Sequence, residues 1–281
     1  MAQDTFIYRF GRREYDLSSR TFVMGILNVT PDSFSDGGQF VDAERAVAHG
    51  IQMAGEGADF VDVGGESSRP GSEPLPLEEE SRRVIPVIER LAKEVHIPIS
   101  VDTYKAGVAR MALEAGATIV NDISAMTADA EMVRTVASYG ATAILMHMKG
   151  TPRTMQENPV YADVTSEVAA YLCERLRVAR QSGISQVIVD PGIGFGKKLD
   201  HNLRLLRELR SIAALGAPVL VGPSRKSFIG AILDLPVNER LEGTAAAVAV
   251  SILNGANIVR VHDVKAMKRV AKVVDALKPG M

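Results

Sequence analysis

Several side chains able to do chemistry sit where short apolar runs give way to polar turns. Met24 to Gly38, MGILNVTPDSFSDGG, opens apolar and then breaks at Asn28 into a Gly- and Pro-punctuated loop carrying Asp32, Ser33, Phe34, Ser35 and Asp36. An amide followed by a carboxylate-bearing loop suits a site that handles a metal or a charged ligand. Asp62 and Asp102 lie within or against apolar runs (ADFVDVGGES, PISVDTYKAG), where an unpaired carboxylate would be costly. Asn121, His147, Asp190, Ser224-Arg225-Lys226, Arg260 and His262 likewise close apolar runs. Any one of them could merely cap a turn or a helix. Their joint placement points to one polar pocket.

The elements that must position these groups alternate regularly. Strands are expected at Phe22–Leu27, Asp59–Val63, Ile97–Val101, Thr118–Val120, Thr142–Met146, Gln186–Val189, Pro218–Val221 and Asn257–Val261. Helical patterns cover Ala43–Glu56, Glu78–Glu94, Ala128–Tyr139, Thr165–Ser182, Leu199–Leu215, Ser227–Leu233, Arg240–Gly255 and Val264–Leu277. Strand-helix alternation implies a parallel sheet with right-handed crossovers. Eight nearly all-apolar strands, buried on both faces, favour a closed (β/α)₈ barrel over an open sheet. Its catalytic groups belong at the C-terminal ends of the strands, where the residues above fall. Phe6–Phe10 and Glu14–Leu17, bracketing Gly11, form a hairpin suited to plug the barrel floor. We expect one domain, with the hairpin within residues 1–20 and the barrel over 21–281.

Composition narrows the function classes. The 281 residues are 46% hydrophobic and 23% charged, with a net charge of −2, which argues against general nucleic-acid or membrane-surface binding. The five histidines are scattered, and the single cysteine, Cys173, excludes an internal disulfide and any Cys/His zinc spacing. Cys173 is expected buried or half-buried on a helix. No apolar run approaches membrane-spanning length and the N-terminus lacks a signal pattern, so a cytoplasmic protein is expected.

MGILNVTPDSFSDGG resembles the first signature of the dihydropteroate synthase family of pterin-binding enzymes. The resemblance extends in order through GGESSRPG (64–71), MHMKGTPRTMQ (146–156), VDPGIGFGK (189–197), VGPSRKSFIG (221–230) and VRVHDV (259–264). Ser68, where some relatives carry Thr, keeps the hydroxyl, and Pro223 stands where a small or β-branched residue is common. The resemblance implies condensation of 6-hydroxymethyl-7,8-dihydropterin diphosphate with p-aminobenzoate in folate synthesis, and a site targeted by sulfonamides, which mimic p-aminobenzoate.

It implies that Asp190, Asn121 and Lys226 bind the pterin edge, with Met146 and Phe195 as an apolar wall and Arg260 against the ring. Arg260, His262 and Ser68 would hold the diphosphate, with Mg²⁺ on Asn28. Asp102, with Asp62 behind it, would stabilise positive charge, and Asp102, Lys226, Arg260 and His262 are the expected catalytic set. Phe34, Ser68, Arg69, Pro70, Phe195, Lys226 and Ser227 would frame p-aminobenzoate. A homodimer through the later helices is also implied. A corrinoid-linked pterin methyltransferase and a non-catalytic pterin-binding barrel remain as alternatives, although both loop signatures and the Arg-x-His pair weigh against them.

Overall fold

The computed structural model describes residues 5–29, 38–69 and 71–278. A two-stranded antiparallel hairpin, β1 (Ile7–Phe10) and β2 (Arg13–Asp16), precedes eight parallel strands among the described residues. These are β3 (Phe22–Asn28), β4 (Phe60–Gly64), β5 (Ile99–Asp102), β6 (Ile119–Asp122), β7 (Thr142–Met146), β8 (Val187–Asp190), β9 (Leu220–Val221) and β10 (Ile258–Val261). They neighbour one another in the order β8-β7-β6-β5-β4-β3-β10-β9. The ring closes through a parallel bridge between Val189 and Val219 and a hydrogen bond from Val189 N–H to Pro218 O at 2.9 Å. This is the expected (β/α)₈ barrel.

Helices cover it: α1 (Gly38–Gly55), α2 (Leu77–Glu94), α3 (Ala106–Glu114), α4 (Met132–Ser138), α5 (Val164–Gln181), α6 (Leu199–Arg207), α7 (Arg210–Ala213), α8 (Ser227–Leu233), α9 (Leu241–Leu253) and α10 (Val264–Leu277). Their apolar stripes explain the docking. In α2, Val84, Val87, Ile88 and Leu91 are buried at helical spacing behind an acidic first turn. In α10 the same stripe is Val264, Met267, Ala271 and Val274. Asp163 starts α5 by accepting from Ser166 N–H at 2.8 Å.

Four expectations needed correction. Helix α3 is absent from the sequence reading, because KAGVARMALEAG is short and built from small residues. It forms by burying Ala106, Val108, Ala109 and Ala112. The single helix expected over Leu199–Leu215 breaks at Glu208 and Leu209 into α6 and α7. The helix expected from Ala128 starts at Met132, because Asp129 accepts from Glu131 N–H and Ala106 N–H, which holds residues 128–131 in a turn. Cys173 lies on α5 as expected, but exposed.

Side chains inside the barrel form levels. At the bottom, Phe22, Met24, Phe60, Ile119, Ile144, Ile188, Leu220 and Ile258 form one apolar cluster with Tyr8, Phe10 and Leu17 of the hairpin region. The Phe10 and Phe60 rings meet edge to face at 5.3 Å, and Tyr8 O–H donates to Val187 O at 2.9 Å. The hairpin is the expected floor. Strand residues of opposite parity, such as Val61, Val63, Val101, Val120, Leu145, Val189, Val221 and Val259, pack outward against the helices in the main core.

Candidate active site

Successive same-face residues of a strand are two apart, so the level above the floor is given by counting. Two residues beyond Phe60, Ile119, Ile144, Ile188 and Ile258 stand Asp62, Asn121, Met146, Asp190 and Arg260, and Asp102 follows Ser100 in β5 in the same way. Two further on in three of the strands come Asn28, Ser224 and His262. The candidates expected at the strand ends therefore fall into a middle and an upper tier above an apolar floor.

The middle tier is organised by one guanidinium. Arg260 Nε donates to Asp62 Oδ2 at 2.6 Å and its Nη2 to Asp102 Oδ2 at 2.8 Å. Asn121 Nδ2 donates to the same Asp62 oxygen at 2.9 Å. Asp62 is fully buried, and its Oδ1 finds no partner among the described residues. Burial, partly opposed by Arg260 and reinforced by the nearby Asp62, pushes the Asp102 carboxyl up to about 7. Pinned on two carboxylates, Arg260 presents a fixed plane with its Nη1 unpartnered among the described residues.

Opposite lie Asp190 and Lys226. Asp190 is buried and accepts from Gly192 N–H at 2.7 Å. Burial raises its pKa, against the pull of Lys226 and the Gly192 N–H. Burial lowers the Lys226 ammonium to about 8, with Asp190 acting the other way. Its Nζ donates to Ile193 O and sits 4.6 Å from the Phe195 ring centroid. Met146 is buried and Phe195 half-buried.

In the upper tier, Ser224 Oγ accepts from His262 N–H at 3.2 Å and lies 3.0 Å from His262 Nδ1. The hydroxyl, which can donate once and accept twice, engages both the backbone N–H and the ring of His262. Burial, with Arg260, Arg225 and Arg69 nearby, lowers His262 to about 4. The imidazole expected to help hold the diphosphate is therefore neutral around pH 7. Arg225, also at the strand end, pairs with Asp263 through Nε at 3.0 Å and Nη2 at 2.5 Å, a tie between β9–α8 and α10. Asn28 is half-buried, and its side chain makes no hydrogen bond among the described residues.

The remaining candidates line the mouth. Ser68 is half-buried, Arg69 exposed and close enough to depress His262, and Ser227 exposed at the start of α8. Phe34 and Pro70, with the carboxylates of the first loop, lie outside the described residues. Glu66 anchors the root of the second loop: it accepts from Tyr104 O–H at 2.6 Å, Lys105 Nζ at 2.5 Å and Leu75 N–H at 2.9 Å. Sequence reasoning missed this anchor, and it also missed Lys197, which is buried beside His147.

Among the described residues no three His, Cys, Asp or Glu side chains are grouped to hold a metal. A cation here would take one neutral amide oxygen from Asn28 and the rest of its shell from water and substrate, which fits Mg²⁺. Taken together, the site offers a buried acceptor beside a lysine, a flat cation, and N–H donors above it. That set suits a flat heterocycle with adjacent N–H groups carrying an anionic substituent.

Residues 24–262 match the family model described as pterin binding enzyme. The chain is 50% identical over 270 residues to the dihydropteroate synthase of Synechocystis sp., covering 95% of this chain and 93% of that protein. It is 44% identical over 272 residues to that of Clostridium beijerinckii, covering 96% and 98%. Among solved structures, Xanthomonas albilineans dihydropteroate synthase with 4-aminobenzoic acid superimposes with a TM-score of 0.91 at 44% identity, over 98% of this chain and 99% of that one. The same enzyme in complex with 7,8-dihydropteroate gives 0.88 at 42% identity, over 98% and 100%.

Proposed function

We infer that this chain, which belongs to the pterin binding enzyme family, is a dihydropteroate synthase, a transferase that joins 6-hydroxymethyl-7,8-dihydropterin diphosphate to p-aminobenzoate and releases diphosphate. The observation that carries this reading is the middle tier, where Asp190, Asn121, Lys226 and a pinned Arg260 converge on one barrel interior. Near-full-length identity to dihydropteroate synthases weighs against both a methyltransferase domain and a non-catalytic binder.

Asp190 accepts the adjacent N–H groups of the pyrimidine edge, and Asn121 donates and accepts beside it. Lys226 donates to the ring carbonyl and neighbouring nitrogen. Met146 forms part of the wall, and the Arg260 plane lies against the ring. Above, the His262 ring, Arg260 Nη1, Ser68 and Arg69 bind the diphosphate. Mg²⁺, held by Asn28, would neutralise charge on the leaving group.

In the reaction the exocyclic C–O bond breaks first and its electron pair leaves with diphosphate. The electron-rich dihydropterin spreads the resulting positive charge, and Asp102 in its ionised form, with Asp62 behind it, stabilises it in a water-poor interior. The p-aminobenzoate amine then forms the C–N bond and releases a proton. Its ring is framed by Phe195 and Lys226 on one side, and by Phe34 and Pro70. Its carboxylate meets the Ser227 hydroxyl, and sulfonamides compete for this position.

The chain is proposed to work as a cytoplasmic homodimer. No helix among the described residues is long and apolar enough to cross a membrane. Ile232, Leu233, Val237, Val250 and Leu253, on α8, α9 and the turn between them, are large apolar side chains left 40–54% exposed, which supports pairing through the later helices. Turnover with both substrates and Mg²⁺ tests the activity. Release of diphosphate without formation of dihydropteroate, or no reaction, would overturn it.

A further inference from the structure

The segment 191–197 leaves β8 directly after Asp190 and has neither helix nor strand of its own, yet its peptide groups are held almost one by one. Gly192 N–H donates to Asp190 Oδ1 at 2.7 Å and Gly194 N–H to Asn202 Oδ1 at 2.6 Å. Ile193 O accepts from Lys226 Nζ, Gly194 O from Gln156 Nε2 at 2.8 Å, and Gly196 O from Tyr161 O–H at 2.7 Å. The carbonyls of Gly192 and Phe195 turn onto one amino group. Lys197 Nζ lies 2.9 Å from Gly192 O, 3.0 Å from Phe195 O, 3.3 Å from His147 O and 3.0 Å from His147 Nδ1.

Lys197 is 3% exposed and makes no ion pair with any described residue. Burial pushes the Lys197 pKa well below its ordinary value, opposed by the Asp190 carboxylate, while carbonyl oxygens and an imidazole contact its amino group directly. Burial and Lys197 itself drive His147 down to about 3, so its ring is neutral and Nδ1 can accept. The backbone is shaped for this convergence. Gly192 and Gly196 have φ of +68° and +62°, and a Cβ on them would stand 1.9 Å from His147 O and 2.4 Å from Lys149 O.

We infer that Lys197 is a positioning residue for the p-aminobenzoate pocket: its buried amino group gathers the carbonyls of His147, Gly192 and Phe195 at one point, fixing the segment so that the Phe195 ring is set against Lys226 before substrate arrives. The inference rests on the proposed function, in which Phe195 borders the second substrate. It makes this wall of the pocket preformed.

The chain contains no tryptophan, so Phe195→Trp places a lone fluorophore on the segment. Adding Lys197→Met to that variant is expected to raise acrylamide quenching about threefold by freeing the segment. Lys197→Gln, whose amide can still hold carbonyls, falls between. In the chain with Phe195 intact, Lys197→Met is expected to raise KM for p-aminobenzoate about tenfold, with kcat at saturation and affinity for a pterin lacking diphosphate changed by less than about threefold. Unchanged quenching in a folded variant overturns the proposal, as does pterin affinity falling in step with the KM change. If Lys197→Met does not fold, Lys197→Gln reads the same quantities, and failure of both to fold refutes a role confined to this segment. Absence of turnover in the unmodified protein would overturn the functional reading alone, since the quenching arm does not depend on activity.

Discussion

One guanidinium serving two buried carboxylates sets an expectation for Asp62→Asn. The substitution keeps the shape and an acceptor for Arg260 Nε, now 2.6 Å from Asp62, but removes one of two negative charges. Two like charges held on one guanidinium repel by about 3 kcal/mol at an effective dielectric of about 20, or about two pH units on Asp102. The folded Asp102 carboxyl is pushed up to about 7, above the roughly 3.9 of an unfolded aspartate. Between those values the folded state keeps a proton that the unfolded chain has lost, so wild-type stability falls as pH rises through that window. In Asp62→Asn the window shrinks, because Asp102 ionises earlier and takes over Arg260. The variant is therefore most destabilised near pH 5, and its deficit shrinks by about 2–3 kcal/mol towards pH 8. At roughly 2–4 °C per kcal/mol, the gap in Tm narrows by about 5–10 °C. Thermal unfolding of both proteins without ligand, followed by circular dichroism from pH 5 to 8, measures it. A gap that stays constant or widens with pH would refute the shared-guanidinium reasoning.

Three further outcomes are expected. Asp190→Asn turns an N–H₂ towards pterin donors and should weaken pterin binding by about 10²-fold or more, as two lost charge-assisted hydrogen bonds require; near-normal affinity in calorimetry on folded protein contradicts the edge assignment. Removing Mg²⁺, or Asn28→Ala, should abolish turnover while sparing the binding of a diphosphate-free pterin; equal damage to both would mean that Asn28 supports the fold or the ring. Labelled p-aminobenzoate should bind weakly to the free enzyme and more tightly once pterin, diphosphate and Mg²⁺ are present, because ordering loop residues costs about 1–2 kcal/mol each; tight binding that ignores those additions would sink ordered assembly.

Much of the site could be read from sequence because a parallel barrel strand is regular. Buried apolar runs fixed the strands, their ends named Asp62, Asp102, Asn121, Asp190 and Arg260, and the two-residue period put those on one level. What escaped depended on contacts distant in sequence. That Arg260 would bind Asp62 and Asp102 together requires β10, β4 and β5 in register, which no single strand reveals. The charge state of His262 could not be read, because its neutral form comes from burial beside Arg260 and Arg225. Lys197, the last residue of a glycine-rich motif, carried no reading of its own, and only the folded segment shows its amino group turned inward. Helix α3 lacked an apolar stripe wide enough to register, since alanines fill its buried face.

The aromatic and aliphatic floor makes the barrel a blind well. Tyr8, Phe10 and Leu17 seal it against Phe22 and Phe60, so ligands enter and leave by the rim alone. In a well with one mouth, traffic runs last in, first out. A pterin seated in the middle tier, as proposed above, could not escape past an occupant of the level above. Any mimic of p-aminobenzoate held between Phe195 and the loops should therefore act as a stopper, slowing departure of the pterin beneath it without touching a single pterin contact.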